Sequence, residues 1–280
     1  MSVLAHTRVG VGPRALFLLH GFLGAARNLA TLARGLAQRL PDRSVITLDL
    51  TGHGDSPPLP PRPDLTVIAR DVLDTARALD TPAPWTLVGH SLGGRVALRA
   101  ALLLPTAFAH LTLLDVTPSP RVSGADVSAI VKALGDAPDA ARDRQTFRAW
   151  FRQAGLPPAA IDWLLLNLVR EGDTYRWRID RRTLTALYAE IGVEDLWPAI
   201  ERRRPYTVHV IRGGASDHVP DADLRRLQAA GCRVDTIDGA EPLRARRPSR
   251  RVIGPDRAGA RVRRRSWRFG SPISFVCASG

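Results

Sequence analysis

A chain of 280 residues, 45% of them hydrophobic, is long enough to bury one large α/β core or two smaller ones. Its net charge of +13 raises the question of a nucleic-acid partner, but residues 240–280 alone hold eleven arginines against Glu241 and Asp256, so the excess belongs mostly to that stretch and no nucleic-acid partner is expected for the rest. No apolar run reaches the length of a membrane span, Met1-Ser2-Val3-Leu4-Ala5-His6 lacks the pattern of a signal peptide, and Cys232 and Cys277 give neither a disulfide framework nor metal-ligand spacing, so a cytoplasmic protein is expected.

In chain order, the apolar run 15–19 reads as a central parallel strand and leads into His20-Gly21-Phe22-Leu23-Gly24. A helix is predicted over 25–40, with Leu29, Leu32, Leu36 and Leu40 on its apolar side and Pro41 as its stop. The next strand, 45–49, ends in the turn Thr51-Gly52-His53-Gly54-Asp55-Ser56. A stiff, proline-rich surface loop follows at 57–63. Asp64 then caps a helix with Leu65, Ile68, Val72, Leu73, Ala76 and Leu79 on one face.

Trp85-Thr86-Leu87-Val88 reads as a buried strand, and residues 95–104 as a helix ended by Pro105. Between them lies Gly89-His90-Ser91-Leu92-Gly93-Gly94. Strand, G-x-S-x-G, helix is the setting of a nucleophile elbow: the turn strains the serine backbone, and the glycines let strand and helix approach closely. The helix N-terminus then lies where N–H groups and the helix dipole favour a developing oxyanion. Residues 111–115 form another strand, and alternation of strands with helices implies a parallel sheet covered on both faces. His20, Asp49, Ser91 and Asp115 all fall at carboxyl ends of strands, where such sheets bind ligands.

From about Thr117 to Trp197 the pattern turns helical with little strand signal, and reads as a helical cap over the site. The sheet resumes at 207–211. The loop Arg212-Gly213-Gly214-Ala215-Ser216-Asp217-His218, a helix over 221–230 and a last strand at 232–237 complete it. The expected division is core at 1–117, cap at 118–200, core again at 201–239, and an arginine-rich tail at 240–280.

This order of motifs resembles the α/β-hydrolase fold family over residues 15–239. Leu114-Asp115-Val116-Thr117-Pro118 and Tyr175-Arg176-Trp177-Arg178 are similar to the YbfF-like esterase branch of that family. The resemblance implies a mostly parallel sheet with helices on both faces and a cap insert. It implies a serine hydrolase that cleaves small or medium acyl esters or thioesters through an acyl-enzyme, without metal or organic cofactor. Ser91 would be the nucleophile, and the backbone N–H groups of Leu92 and Phe22 would hold the oxyanion, with His20 in the oxyanion loop. Asp217 is preferred as the triad acid, with Asp115 as the alternative. A C–C lyase or acyltransferase on the same fold, or a catalytically inactive scaffold with a basic, nucleic-acid-binding tail, are the competing readings.

The resemblance also places a general-base histidine in the loop after the last strand. Here Ile237-Asp238-Gly239 is followed by Ala240-Glu241-Pro242-Leu243-Arg244, and no histidine occurs after His218. Residues 241–248 can be written in codons that, read one base later, give Ser-His-Phe-Val-His-Val-Asp, which is very like the family's histidine loop. A change of reading frame near Ala240 is therefore one expectation, a disordered tail another, and impaired activity a third.

Overall fold

The structure is a computed structural model, and it describes residues 3–120, 125–214 and 216–238. The tail at 240–280, with the expectations attached to it, lies outside the described residues.

The described strands of the main sheet are β1 (His6–Val9), β2 (Arg14–Leu19), β3 (Arg43–Leu48), β4 (Trp85–His90), β5 (Phe108–Leu114), and then β9 (Thr207–Gly213) and β10 (Arg233–Ile237) after the insert that carries β6 to β8. They lie in the order β1-β3-β2-β4-β5-β9-β10, all parallel except β1, which pairs antiparallel with β3. β2 shows why a central strand reads as an unbroken apolar run. Phe17 and Leu19 join the large core on one face, while Leu16 and Leu18 pack with Leu29, Ala33 and Val45 on the other.

The helices α1 (Ala30–Arg39), α2 (Leu65–Ala78) and α3 (Leu92–Leu103) cover these faces. The first is shorter than predicted, because residues Ala26–Leu29 form a 3₁₀ turn before it. The start of α2 is as predicted: Asp64 Oδ1 accepts the N–H of Val67 at 2.7 Å, and Leu65, Ile68, Val72, Leu73 and Ala76 are buried.

The insert carries α4 (Ala125–Asp136), α5 (Arg144–Gln153), α6 (Pro158–Leu165) and α7 (Arg181–Val193). It is not purely helical. β6 (Ala140–Ala141), β7 (Leu168–Glu171) and β8 (Thr174–Trp177) form a small antiparallel sheet in the order β6-β8-β7. Strands of two to four residues rich in Arg, Glu and Thr have no apolar periodicity to announce them, and Trp177 holds the piece in place by packing on Phe147 and Phe151. A short α8 (Pro198–Glu201) and α9 (Asp221–Ala229) complete the described helices.

Both ends of the insert are fastened to α3. Arg95, 1% exposed, donates to the carbonyls of Thr117, Ser119 and Glu194, and Leu196 N–H reaches Pro118 O at 2.9 Å. The insert therefore leaves and rejoins the core at one place, one helical turn beyond Ser91.

Candidate active site

Ser91 stands between β4 and α3 with φ 49° and ψ −111°, a conformation that L residues avoid. Packing enforces it. A Cβ on Gly89 would lie 2.4 Å from Gly93 C, one on Gly93 2.4 Å from Leu19 O, and one on Gly94 2.4 Å from Val116 Cγ1. Gly89 and Gly93 are thus points where elbow, helix and neighbouring strand meet backbone to backbone, and Gly94 leaves room for the Val116 side chain. Ser91 N–H donates to Leu114 O at 3.1 Å, and Ser91 O accepts from Gly94 and Arg95 N–H, so the turn is held on both sides. As the first residues of α3, Leu92 and Gly93 present N–H groups with no intrahelical acceptor.

The loop after β2 lies beside the elbow: a Cβ on Gly21 would meet His90 Nδ1 at 2.7 Å. Its peptide groups are fixed one by one. Gly21 O accepts from His20 Nδ1 at 2.8 Å and from Gly24 N at 2.9 Å. Because the peptide is trans and planar, holding that carbonyl aims the Phe22 N–H the opposite way. Leu23, at φ 58°, donates its N–H to His53 Nε2 at 3.2 Å. Ala26 N–H donates to Asp49 Oδ1 at 2.6 Å, and Asp55 N–H to Asp49 Oδ2 at 3.0 Å. His20 Nε2 accepts the N–H of Leu50 at 3.0 Å. The loop after β2 and the turn at 51–56 are therefore stitched together by two imidazoles and one carboxylate.

These bonds fix the state of both rings. Each has its Nδ1 against a carbonyl (Gly21 O, Thr51 O) and its Nε2 against a backbone donor, so each is the neutral Nδ1–H tautomer. Burial drives the pKa of His20 down to about 4 and that of His53 down to about 3. With both nitrogens engaged and little basicity, neither ring is suited to accept a proton from a serine.

On the other flank of Ser91, Asp115 ends β5 with φ 52° and is 3% exposed. Its Oδ2 accepts from Ser216 Oγ at 2.8 Å and its Oδ1 from Gly213 N–H at 3.3 Å. Asp217 lies in the same loop, next to Ser216, but is exposed. His218 is half-buried, and its backbone N–H reaches Ser216 Oγ at 3.2 Å. The structure thus places Ser91, Leu92, Phe22, His20 and Asp115 at the carboxyl ends of the central strands β2, β4 and β5. His110 and His209 are engaged elsewhere, with Thr207 and Thr112 and with Asp235 respectively. Ser216 and Asn167 carry no local motif, and their contacts appear once the loops are in place. Among the described residues no group of three or more His, Cys, Asp or Glu is arranged to hold a metal ion, and no helix is long and apolar enough to cross a membrane.

Residues 14–158 match the family described as the alpha/beta hydrolase fold. The chain is 29% identical to the mouse sn-1-specific diacylglycerol lipase ABHD11, over 76% of this chain and 70% of that protein. It is 29% identical to esterase YbfF of Escherichia coli, over 80% of this chain and 84% of that one. Among solved structures a marine microorganism esterase superposes with a TM-score of 0.72 at 21% identity, covering 86% of this chain and 93% of its own. That last likeness supports the fold alone.

Proposed function

The chain belongs to the α/β-hydrolase fold family, whose esterases and lipases act on ester bonds, and on that footing we propose that it is a serine hydrolase of small to medium acyl esters or thioesters. The observation that carries this reading is Ser91, strained at the head of α3, beside a loop whose Gly21 carbonyl is held, so that the Phe22 N–H of the same peptide points the opposite way. Attack by Ser91 Oγ on the acyl carbon would move negative charge onto the carbonyl oxygen, between the N–H groups of Phe22 and Leu92. One such donor contributes roughly 10²–10³ in rate. Collapse of that intermediate would break the ester or thioester bond and release the alcohol or thiol, protonated, and water would then attack the Ser91 acyl ester to release the free acid and restore the serine hydroxyl.

Asp115 fits the role of triad acid better than Asp217. A buried carboxylate, fixed by donors one strand from Ser91, can orient an imidazole; an exposed one does so less well. The loop after β10, where the family's base is expected, lies outside the described residues. His218 is linked to Asp115 through Ser216 and is the first of the described histidines to test as base. Loss of the histidine from a Ser-His-Asp site costs on the order of 10⁶ in turnover, leaving roughly 10³–10⁴ over water. Low activity is therefore expected.

The test is hydrolysis of p-nitrophenyl esters from acetate to decanoate by the purified chain. Slow, Ser91-dependent release that falls with long acyl chains supports the reading. No Ser91-dependent release from any ester or thioester of the series contradicts it. Turnover faster than about 1 s⁻¹ would show that a base is in place, and His218→Ala would then say whether it is His218.

A further inference from the structure

We propose that Asn167, a residue of the cap insert, is a positioning residue for the oxyanion loop; the inference rests on the serine-hydrolase reading above. Asn167 lies between α6 and β7 and is 3% exposed. Its side-chain Nδ2 donates to Leu23 O at 3.2 Å and, more loosely, to Leu164 O at 3.5 Å. Both partners are carbonyls, so the NH₂ end of the amide must face them. Its own backbone is anchored on both sides: Asn167 N–H reaches Leu164 O at 3.0 Å, and Asn167 O accepts from Arg178 N–H at 2.8 Å.

The partner matters more than the bond. Leu23 is the residue of the oxyanion loop held at φ 58°, adjacent to Phe22. An L residue keeps such a conformation only where its surroundings over-determine it. Here the core holds one side of Leu23, through His53 Nε2 on its N–H, and the cap holds the other, through Asn167 on its carbonyl. A second cap residue bears on the same loop: the ring of Tyr188 packs 5.2 Å from that of Phe22, which in turn meets His53 edge-on. The cap therefore supplies one of the two hydrogen bonds described on Leu23, the residue next to the Phe22 N–H. Without the amide, Leu23 can relax toward ordinary φ and turn the Phe22–Leu23 segment, while substrate binding by the rest of the cleft is left in place.

The experiment is the rate of phosphonylation of Ser91 by a fluorophosphonate ester, followed by intact mass. The proteins are wild type, Asn167→Leu, Asn167→Asp and Arg178→Met, each with its thermal midpoint. Arg178→Met is a control that removes a different cap-to-core contact, the ion pair with Asp55. Both Asn167 variants should react about tenfold more slowly or worse, short of the full loss of a donor. The Ki of a trifluoromethyl ketone, which forms an oxyanion on Ser91, should weaken in step. The Ki of an uncleaved amide analogue, which forms none, should stay within about twofold. Arg178→Met should match wild type in all three. Folded Asn167 variants that keep the wild-type rate and ketone affinity overturn the role. So does a uniform weakening of ketone and amide alike, which would mark a purely structural residue. Should Asn167→Leu fail to fold, the isosteric Asn167→Asp decides on the same readouts. Labelling of the wild type is expected to be slow, in keeping with its low expected activity; a wild type that gains no Ser91 adduct even at saturating reagent and prolonged incubation overturns the hydrolase reading, and the role of Asn167 falls with it.

Discussion

Ser91 stands between two flanks built in different ways. On the β2–β3 side, each functional backbone group is held by a named partner: Gly21 O by His20 and Gly24, Leu23 N–H by His53, Leu23 O by Asn167, Ala26 N–H by Asp49. On the β5–β9 side a single buried carboxylate, Asp115, is tied to the loop at 213–218 through Ser216 and Gly213, and the neighbouring Asp217 is exposed. The difference fits the role proposed for each side. An oxyanion donor is useful only if it is already aimed when charge appears, so its loop is over-determined. A triad acid needs one fixed carboxylate, and the rest of its loop is free to vary.

The comparison can be broken most severely at the seam both flanks share. Gly93→Ala would drive a Cβ to 2.4 Å from Leu19 O and 2.7 Å from Leu19 C, backbone atoms of a central strand that cannot step aside. We expect a loss of at least about 3 kcal/mol in urea unfolding, with the protein failing to accumulate as the extreme outcome. A loss under 1 kcal/mol would mean that the elbow packs less tightly than the structure has it.

Acid should strike the oxyanion flank next. His20 and His53 have folded-state pKa values of about 4 and about 3, below the ordinary value of 6.5. Their neutral forms therefore stabilise the fold fully above pH 6.5, and that contribution drains away as pH falls from 6.5 toward 4 and then 3. Protonation would also set an Nε2–H against the N–H of Leu50 or Leu23. Stability measured at pH 7 and pH 4.5 should differ by about 5 kcal/mol, roughly half of it from each ring, and His53→Gln should about halve the slope. A pH-independent midpoint across that range would contradict the assigned tautomers.

The acid flank should separate its two carboxylates. Asp115→Ala strands Ser216 Oγ and Gly213 N–H in a buried site, at a cost of about 1–3 kcal/mol. Asp217→Ala, at an exposed position, should stay within about 0.5 kcal/mol. Equal losses in thermal unfolding would remove the structural reason for preferring Asp115.

Much of this was legible in the sequence because it is local. The apolar runs at 15–19, 45–49 and 85–88, the G-x-S-x-G turn and the Asp64 cap each announce themselves through neighbours in the chain. What was not legible is long-range. β1 is an exposed edge strand of His-Thr-Arg-Val, and the small cap sheet is made of polar strands of two to four residues, so neither carries a period. The contest between Asp115 and Asp217 turns on burial, which depends on where Ser216 lies, 101 residues from Asp115. The pairing of Asn167 with Leu23 spans 144 residues and has no signature at either end.

Ser91 as the nucleophile of this site is tested by covalent labelling. Purified wild-type protein treated with a fluorophosphonate should gain the mass of one phosphonyl group, located on the peptide that contains Ser91. Ser91→Ala, folded to the same thermal midpoint within a few degrees, should gain none. Equal labelling of the two proteins, or an adduct on another residue of the wild type, would contradict the account.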